Sequence, residues 1–85
     1  MRSKIFSIYD TKVQAFGVPF FSSHEQHAYR MMSMAVSDGT TQLGAFPSDF
    51  MLFELGEFDD QTAEFDLLVS PKAHGPLSNF KDNDK

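Results

Sequence analysis

The sequence predicts an α+β domain in which one helix packs on a small, mainly antiparallel sheet, in the order strand, short strand or arm, helix, strand, strand. Two observations carry that expectation. A stretch over about residues 24–37 has helical apolar spacing and start signals, and the segment from Phe50 to Val69 alternates like a hairpin. At 85 residues the chain holds one domain, read as residues 1–80, with Lys81 to Lys85 as a disordered, solvated end.

The first strand is expected over Lys4 to Tyr9. Ile5, Ser7 and Tyr9 alternate onto one side and Phe6 and Ile8 onto the other, so both sides carry apolar groups. Asp10-Thr11-Lys12 reads as a turn. Ala15 to Phe21 is a second extended piece interrupted by Gly17 and Pro19; proline cannot donate to a ladder, which makes it an edge strand or an irregular arm. Ser22 and Ser23 are candidate helix N-caps, each followed three residues later by Glu25 or Gln26, the spacing of a capping box. Ala28, Met31, Met32 and Ala35 then form one apolar stripe. Gly39, after Asp38, suits a left-handed C-terminal cap.

Thr40 to Asp49 reads as a loop containing Gly44 and Pro47. Phe50–Phe58 and Ala63–Val69 form the C-terminal hairpin, joined by Asp59-Asp60-Gln61-Thr62, residue types that favour turns. Regular alternation puts Phe53 and Leu55 on one face, and Leu52, Glu54, Gly56 and Phe58 on the other. Beyond Pro71 the pattern is lost.

One helix covers one face of such a sheet, yet apolar residues occur on both faces. The uncovered face needs a second copy, a partner protein or stacked bases. Composition agrees. The chain has no cysteine but ten phenylalanines and five methionines. A domain this short buries roughly 60–65% of its unfolded surface, so its core is thin and association is the expected route to stability. Homo-oligomerisation is therefore expected. No segment approaches the roughly 20 apolar residues of a membrane span. The basic start is followed only by a short apolar run that Asp10 stops, unlike a signal peptide, and a cytosolic, membrane-free protein is expected.

The formal net charge is −5, but it is segregated. Residues 1–30 carry +2, residues 31–71 carry −8 with no lysine or arginine, and residues 72–85 carry +1. Such segregation makes local fields that differ in sign from the total; its plain alternative is a solvated acidic hairpin. His24 and His27 stand one turn apart on the helix, and Glu57, Asp59 and Asp60 crowd the hairpin turn. Neither set has the spacing of a metal motif, and there is no nucleophile signature and no phosphate-cradling glycine run. No enzyme activity, metal or cofactor is expected.

The functional signal lies in the interleaving of cations with aromatics near the start. Arg2 and Lys4 share a side of the first strand with Phe6, Lys12 lies close to Phe16, Phe20 and Phe21, and Arg30 sits on the helix. Cations that follow phosphates beside aromatic faces that stack bases are what single-strand binding requires. Arg2, Lys4, Lys12, Phe20, Phe21 and Arg30 are the candidate nucleic-acid-binding residues, provided that the acidic hairpin faces away from the strand. The plain alternative is that the aromatics are core and the cations surface decoration.

Lys4-Ile-Phe-Ser-Ile-Tyr-Asp10, Pro19-Phe-Phe21, Ala28-Tyr-Arg30 and above all Leu52-Phe-Glu-Leu-Gly-Glu-Phe-Asp59 resemble the small non-structural protein of gokushoviruses, tiny single-stranded DNA phages of the microvirus group. The resemblance runs from residue 4 to about residue 72. It implies a DNA-binding protein acting in phage genome replication or packaging in the cytoplasm of the bacterial host, with single-stranded DNA as partner. The alternative is a homo-oligomeric adaptor that binds a phage or host replication protein without touching DNA. The family often has glycine after the hairpin turn where this chain has Ala63, which puts the turn geometry in question.

Overall fold

The computed structural model describes residues 1–81. Strand β1 (Arg2–Asp10) is central and pairs along one edge with β2 (Ala15–Phe16) and β3 (Phe20–Ser22). Its other edge pairs with β4 (Phe50–Asp59), which pairs in turn with β5 (Glu64–Pro76); all these pairings are antiparallel. The expected second extended piece is present as two short edge strands. Its break falls at Gly17-Val18-Pro19, where proline has no N–H for a ladder.

Helix α1 (Glu25–Ser37) lies over one face, burying Ala28, Met32, Ser33 and Val36. The core forms between this stripe and Phe6, Phe50 and Leu52 of the sheet. The expected stripe is shifted by about one position: Met31 and Ala35 are half-buried, and Val36 is inside. Both helix ends depart from expectation. The N-cap is His24, whose Nδ1 accepts the His27 backbone N–H at 3.3 Å. Ser22 is unavailable as a cap because it ends β3, buried, with its hydroxyl donating to the His24 carbonyl at 2.8 Å. At the C-terminus Gly39 takes no left-handed conformation. Asp38 is extended, and its carboxylate accepts the backbone N–H and hydroxyl of Thr40 at 3.0 and 2.6 Å. That local turn holds the Asp38 carboxyl below its ordinary pKa and replaces the glycine cap.

The expected loop after the helix contains a short helix α2 (Gln42–Ala45), capped by the Thr41 hydroxyl, and a 3₁₀ turn over Pro47–Asp49. The segment from Pro71 to Phe80 is also more regular than its lost pattern suggests. β5 continues to Pro76, and a 3₁₀ turn over Leu77–Phe80 drives Leu77 and Phe80 into the core. The Ser33 hydroxyl donates to the Phe80 carbonyl at 2.9 Å. Of the expected disordered end only Lys81, exposed, is described; residues 82–85 lie outside the described residues.

The hairpin departs from simple alternation at one point. Ile5 faces Gly56 while Phe6 faces Glu54, so Leu55 is the extra residue of a β-bulge. The bulge shifts the phase of everything after it. Phe58 therefore joins Phe53 on the face away from the helix, and Glu57 joins Glu54 on the helix side. Glycine is required at the bulge: a Cβ on Gly56 would sit 2.4 Å from the Asp66 carbonyl oxygen. β5 answers with its own irregularity, since Gly56 pairs with Leu67 but Glu54 with Lys72.

The hairpin turn closes with the Ala63 N–H donating to the Asp59 carbonyl at 2.7 Å, and Ala63 adopts φ 63°. The residue questioned in the sequence thus takes the left-handed conformation that glycine occupies without cost. Ala63→Gly is expected to raise the unfolding free energy in urea by up to about 1 kcal/mol. Gly56→Ala is expected to lower it by about 1–3 kcal/mol through overpacking. A lower stability of Ala63→Gly than of the parent would contradict the left-handed turn.

Candidate functional site

Two features stand out: an aromatic surface on the open sheet face and a buried polar chain under the helix. The open face follows from register. Residues opposite one another in antiparallel strands share a face, and the pairs Tyr9–Phe16, Ser7–Phe53, Ile5–Phe21, Ser3–Phe58 and Phe58–Phe65 all fall on the side without the helix. Their rings form two clusters. Phe16 lies 4.7 Å from Tyr9 and 5.3 Å from Phe53 between ring centroids. Phe58 lies 5.6 Å from Phe21 and 4.9 Å from Phe65. Phe16 and Phe21 remain 47% and 48% exposed, and Phe65 59%, so these rings are packed on one side and open on the other. No carboxylate, lysine or arginine occupies the paired positions on this face between Ser3 and Tyr9, Met51 and Phe58, or Phe65 and Leu67.

The carboxylates on the hairpin strands, Glu54, Glu57, Asp59, Glu64 and Asp66, are on the helix side, as alternation and the bulge dictate. Arg2 and Lys4 share that side with Phe6, as the sequence indicates, and so they meet the acids. Arg2 donates to Glu57 at 2.7 Å and to Asp66 at 3.3 Å, with Asp59 at 3.8 Å. The Glu57 hydrogen bond and the surrounding carboxylates raise the guanidinium pKa further. Lys4 reaches Glu54 at 3.3 Å and Glu57 at 3.9 Å. The carboxylates at the turn, Glu57, Asp59 and Asp60, are thus held by Arg2, Lys4 and the Met1 amine, which lies 2.7 Å from Asp60.

The six candidate nucleic-acid-binding residues are accordingly dispersed. Arg2 and Lys4 lie in ion pairs on the helix side. Phe20 stacks on Phe6 at 5.9 Å, also on the helix side, as part of the core's flank. Phe21 lies on the open face, and exposed Lys12 occupies the turn that joins the strands carrying Tyr9 and Phe16. Arg30 is exposed on α1, in the opposite layer. The open-face residues that sequence reasoning missed as a group are Tyr9, Phe53, Phe58 and Phe65. Alternation was a usable signal for Tyr9 and Phe65, but the bulge hid the partnership of Phe53 with Phe58.

The buried chain links helix to sheet. The Tyr29 hydroxyl is 2.6 Å from His74 Nδ1, and His74 Nε2 is 3.0 Å from Glu54 Oε1. Lys4 holds the other Glu54 oxygen. The side chains of His74 and Glu54 are only 5% and 8% exposed. Burial pushes the Glu54 carboxyl up, but hydrogen bonds from His74 and Lys4 and the Lys4 charge outweigh it and hold the carboxyl below the ordinary glutamate value. Burial, then the charges of Glu25 and Glu54, raises the Tyr29 phenol. Every buried side-chain polar atom among the described residues has a partner. His24 and His27 stand apart from this chain at the helix start, where the pair forms the N-cap.

These features define a small α+β protein with one covered and one open sheet face, its most exposed aromatic surface being the open one. The match to known families agrees with a phage origin: the family model described as "Phage ORF5 protein" covers residues 3–80. The chain belongs to that phage family. No curated protein and no solved structure matches it. No helix among the described residues is long and apolar enough to cross a membrane.

Tyr29→Phe is expected to cost about 1–2 kcal/mol in urea unfolding, because it strips a buried imidazole nitrogen of its partner. A loss below a few tenths would show that the hydroxyl and His74 are not bonded in solution.

Proposed function

We propose that this phage protein binds single-stranded DNA through its open sheet face, acting in genome replication or packaging in the cytoplasm of the bacterial host. The resemblance to the gokushovirus non-structural protein supplies the biological setting. The observation that carries the reading is the acid-free aromatic face. Phe16 and Phe21, half-exposed opposite Tyr9 and Ile5 of β1, offer stacking surfaces, and base–aromatic stacking contributes about 1–3 kcal/mol per base. The carboxylates that would repel phosphate alternate onto the other side. Lys12 stands at the rim of one aromatic cluster without an ion pair among the described residues. Because Arg2 and Lys4 are engaged by carboxylates, stacking rather than charge is the main contribution. The protein is accordingly a weak, sequence-tolerant binder.

A specific observation favours the second reading, a homo-oligomeric adaptor: the same face lacks cations, and an apolar, uncharged sheet face suits protein contact. A fluorescence titration with single-stranded oligonucleotides separates the two. The DNA reading expects a shallow salt dependence, about −0.7 in log K per log salt for each phosphate contact. Phe16→Ala and Phe21→Ala should each weaken binding by about 1–3 kcal/mol, while Asp59→Asn with Asp60→Asn should leave it equal or stronger. Undetectable binding of long oligonucleotides at low salt, with a dimeric or larger mass by light scattering, transfers the function to the adaptor reading.

A further inference from the structure

A domain with a thin core and no cysteine has few ways to fasten its main helix to the sheet. Sequence spacing offered no metal motif to do it. The fold nevertheless brings together side chains from α1, β4 and β5 that are far apart in the chain. A carboxylate oxygen of Glu25, one of Glu54 and a ring nitrogen of His74 all lie within 4.8 Å of one another. We propose that Glu25, Glu54 and His74 form a binding site for a divalent transition-metal ion of the zinc class, which braces the first turn of α1 against β4 and β5.

Three observations beyond proximity support the site. First, the Glu25 carboxylate has no hydrogen bond or ion pair among the described residues, although it lies beside the buried carboxylate of Glu54. Two carboxylates this close, one of them without a cation, repel unless positive charge enters between them. Second, Glu54 is oriented for it. Lys4 occupies Oε2, leaving Oε1 directed to the His74 side. Third, His74 already has the outer partner that metal-bound imidazoles have, since the Tyr29 hydroxyl sits on Nδ1 and leaves Nε2 directed to the carboxylates.

The donor set of one imidazole nitrogen and two carboxylate oxygens suits zinc and its first-row neighbours better than magnesium or calcium, which prefer all-oxygen shells. Bonds of about 2.0–2.1 Å place ligand atoms roughly 3.3 Å apart in tetrahedral geometry, so atoms already within 4.8 Å reach the ion by side-chain adjustment. The ion replaces the proton shared between His74 Nε2 and Glu54 Oε1, which is released to solvent. Water completes the shell on the side where Glu25 is partly exposed. With Glu25 and Glu54 negative and Lys4 positive, the site has a net negative charge before the ion enters. The inference stands apart from the DNA reading, because the site lies on the helix side of the sheet.

The test uses untagged protein stripped with a chelator and titrated with zinc chloride by calorimetry, with melting followed in parallel. One equivalent should bind, and zinc at a hundredfold excess over its Kd should raise Tm by at least about 5 °C. Magnesium at the same concentration should leave Tm unchanged. His74→Ala should abolish the zinc response but also disturbs a buried hydrogen bond, so Glu25→Gln is the cleaner variant. It breaks no hydrogen bond or ion pair in the fold and relieves the carboxylate repulsion, so it should keep or raise the metal-free Tm while weakening zinc at least tenfold. His24→Ala with His27→Ala should retain the response. No zinc-dependent shift in the parent would overturn the proposal, as would binding that survives Glu25→Gln or vanishes with His24 and His27.

Discussion

The bulge at Leu55 in β4 sets the placement of nearly every side chain that matters here. In a regular strand Glu54 and Glu57, three apart, would point to opposite faces, and so would Phe53 and Phe58, five apart. The extra residue changes the phase. Both glutamates then meet Lys4, at 3.3 and 3.9 Å, and both phenylalanines reach the open face. Gly56 makes this possible, because only a residue without a Cβ lets the β5 backbone come so close. The string Leu52-Phe-Glu-Leu-Gly-Glu-Phe-Asp59, the most specific part of the resemblance, is the string that encodes this bulge.

The β1–β4 pairing accounts for the segregated charge. Arg2 and Lys4 of the block carrying +2 lie far along the chain from the densest acids of the block carrying −8, yet the register sets Arg2 opposite Asp59 and Lys4 opposite Glu57. The acids thereby gain counter-charges at the strand where they are densest. Exposed pairs of this kind contribute little to stability, because solvent screens them. Their larger effect is on register, since a slip by one residue would set cations and acids on opposite faces and leave buried Glu54 without Lys4.

Coverage by one helix divides the molecule into unlike halves. On the helix side, Phe6, Leu52, Met32, Val36, Leu77 and Phe80 pack a closed core, and the Tyr29–His74–Glu54 chain crosses its edge with every buried polar atom satisfied. On the other side the aromatic rings pack laterally against each other and remain open above. A sheet face of this kind gains from contact with anything flat and apolar. That shared physics is why stacked bases and a protein partner compete as readings of one surface.

The fold class, the helix, the hairpin and the interrupted second strand were legible in the sequence, because each rests on local signals: apolar spacing, the proline at 19, turn residues at 59–62. The helix caps were not, since Ser22 and His24 trade roles only once β3 has claimed Ser22. Leu77 and Phe80 carried a readable i, i+3 spacing that the short run after Pro76 obscured. Phe21 and Lys12 were found at or beside the open face, whereas Phe20 differs from Phe21 only by strand parity and turned inward. Which residues could stack, pair or pack is legible from residue types alone, for those are properties of side chains. Tertiary structure alone decided which of them meet, because one inserted residue at Leu55 inverts the faces of all that follow, and no local pattern records what His74 and Glu25 find across the sheet.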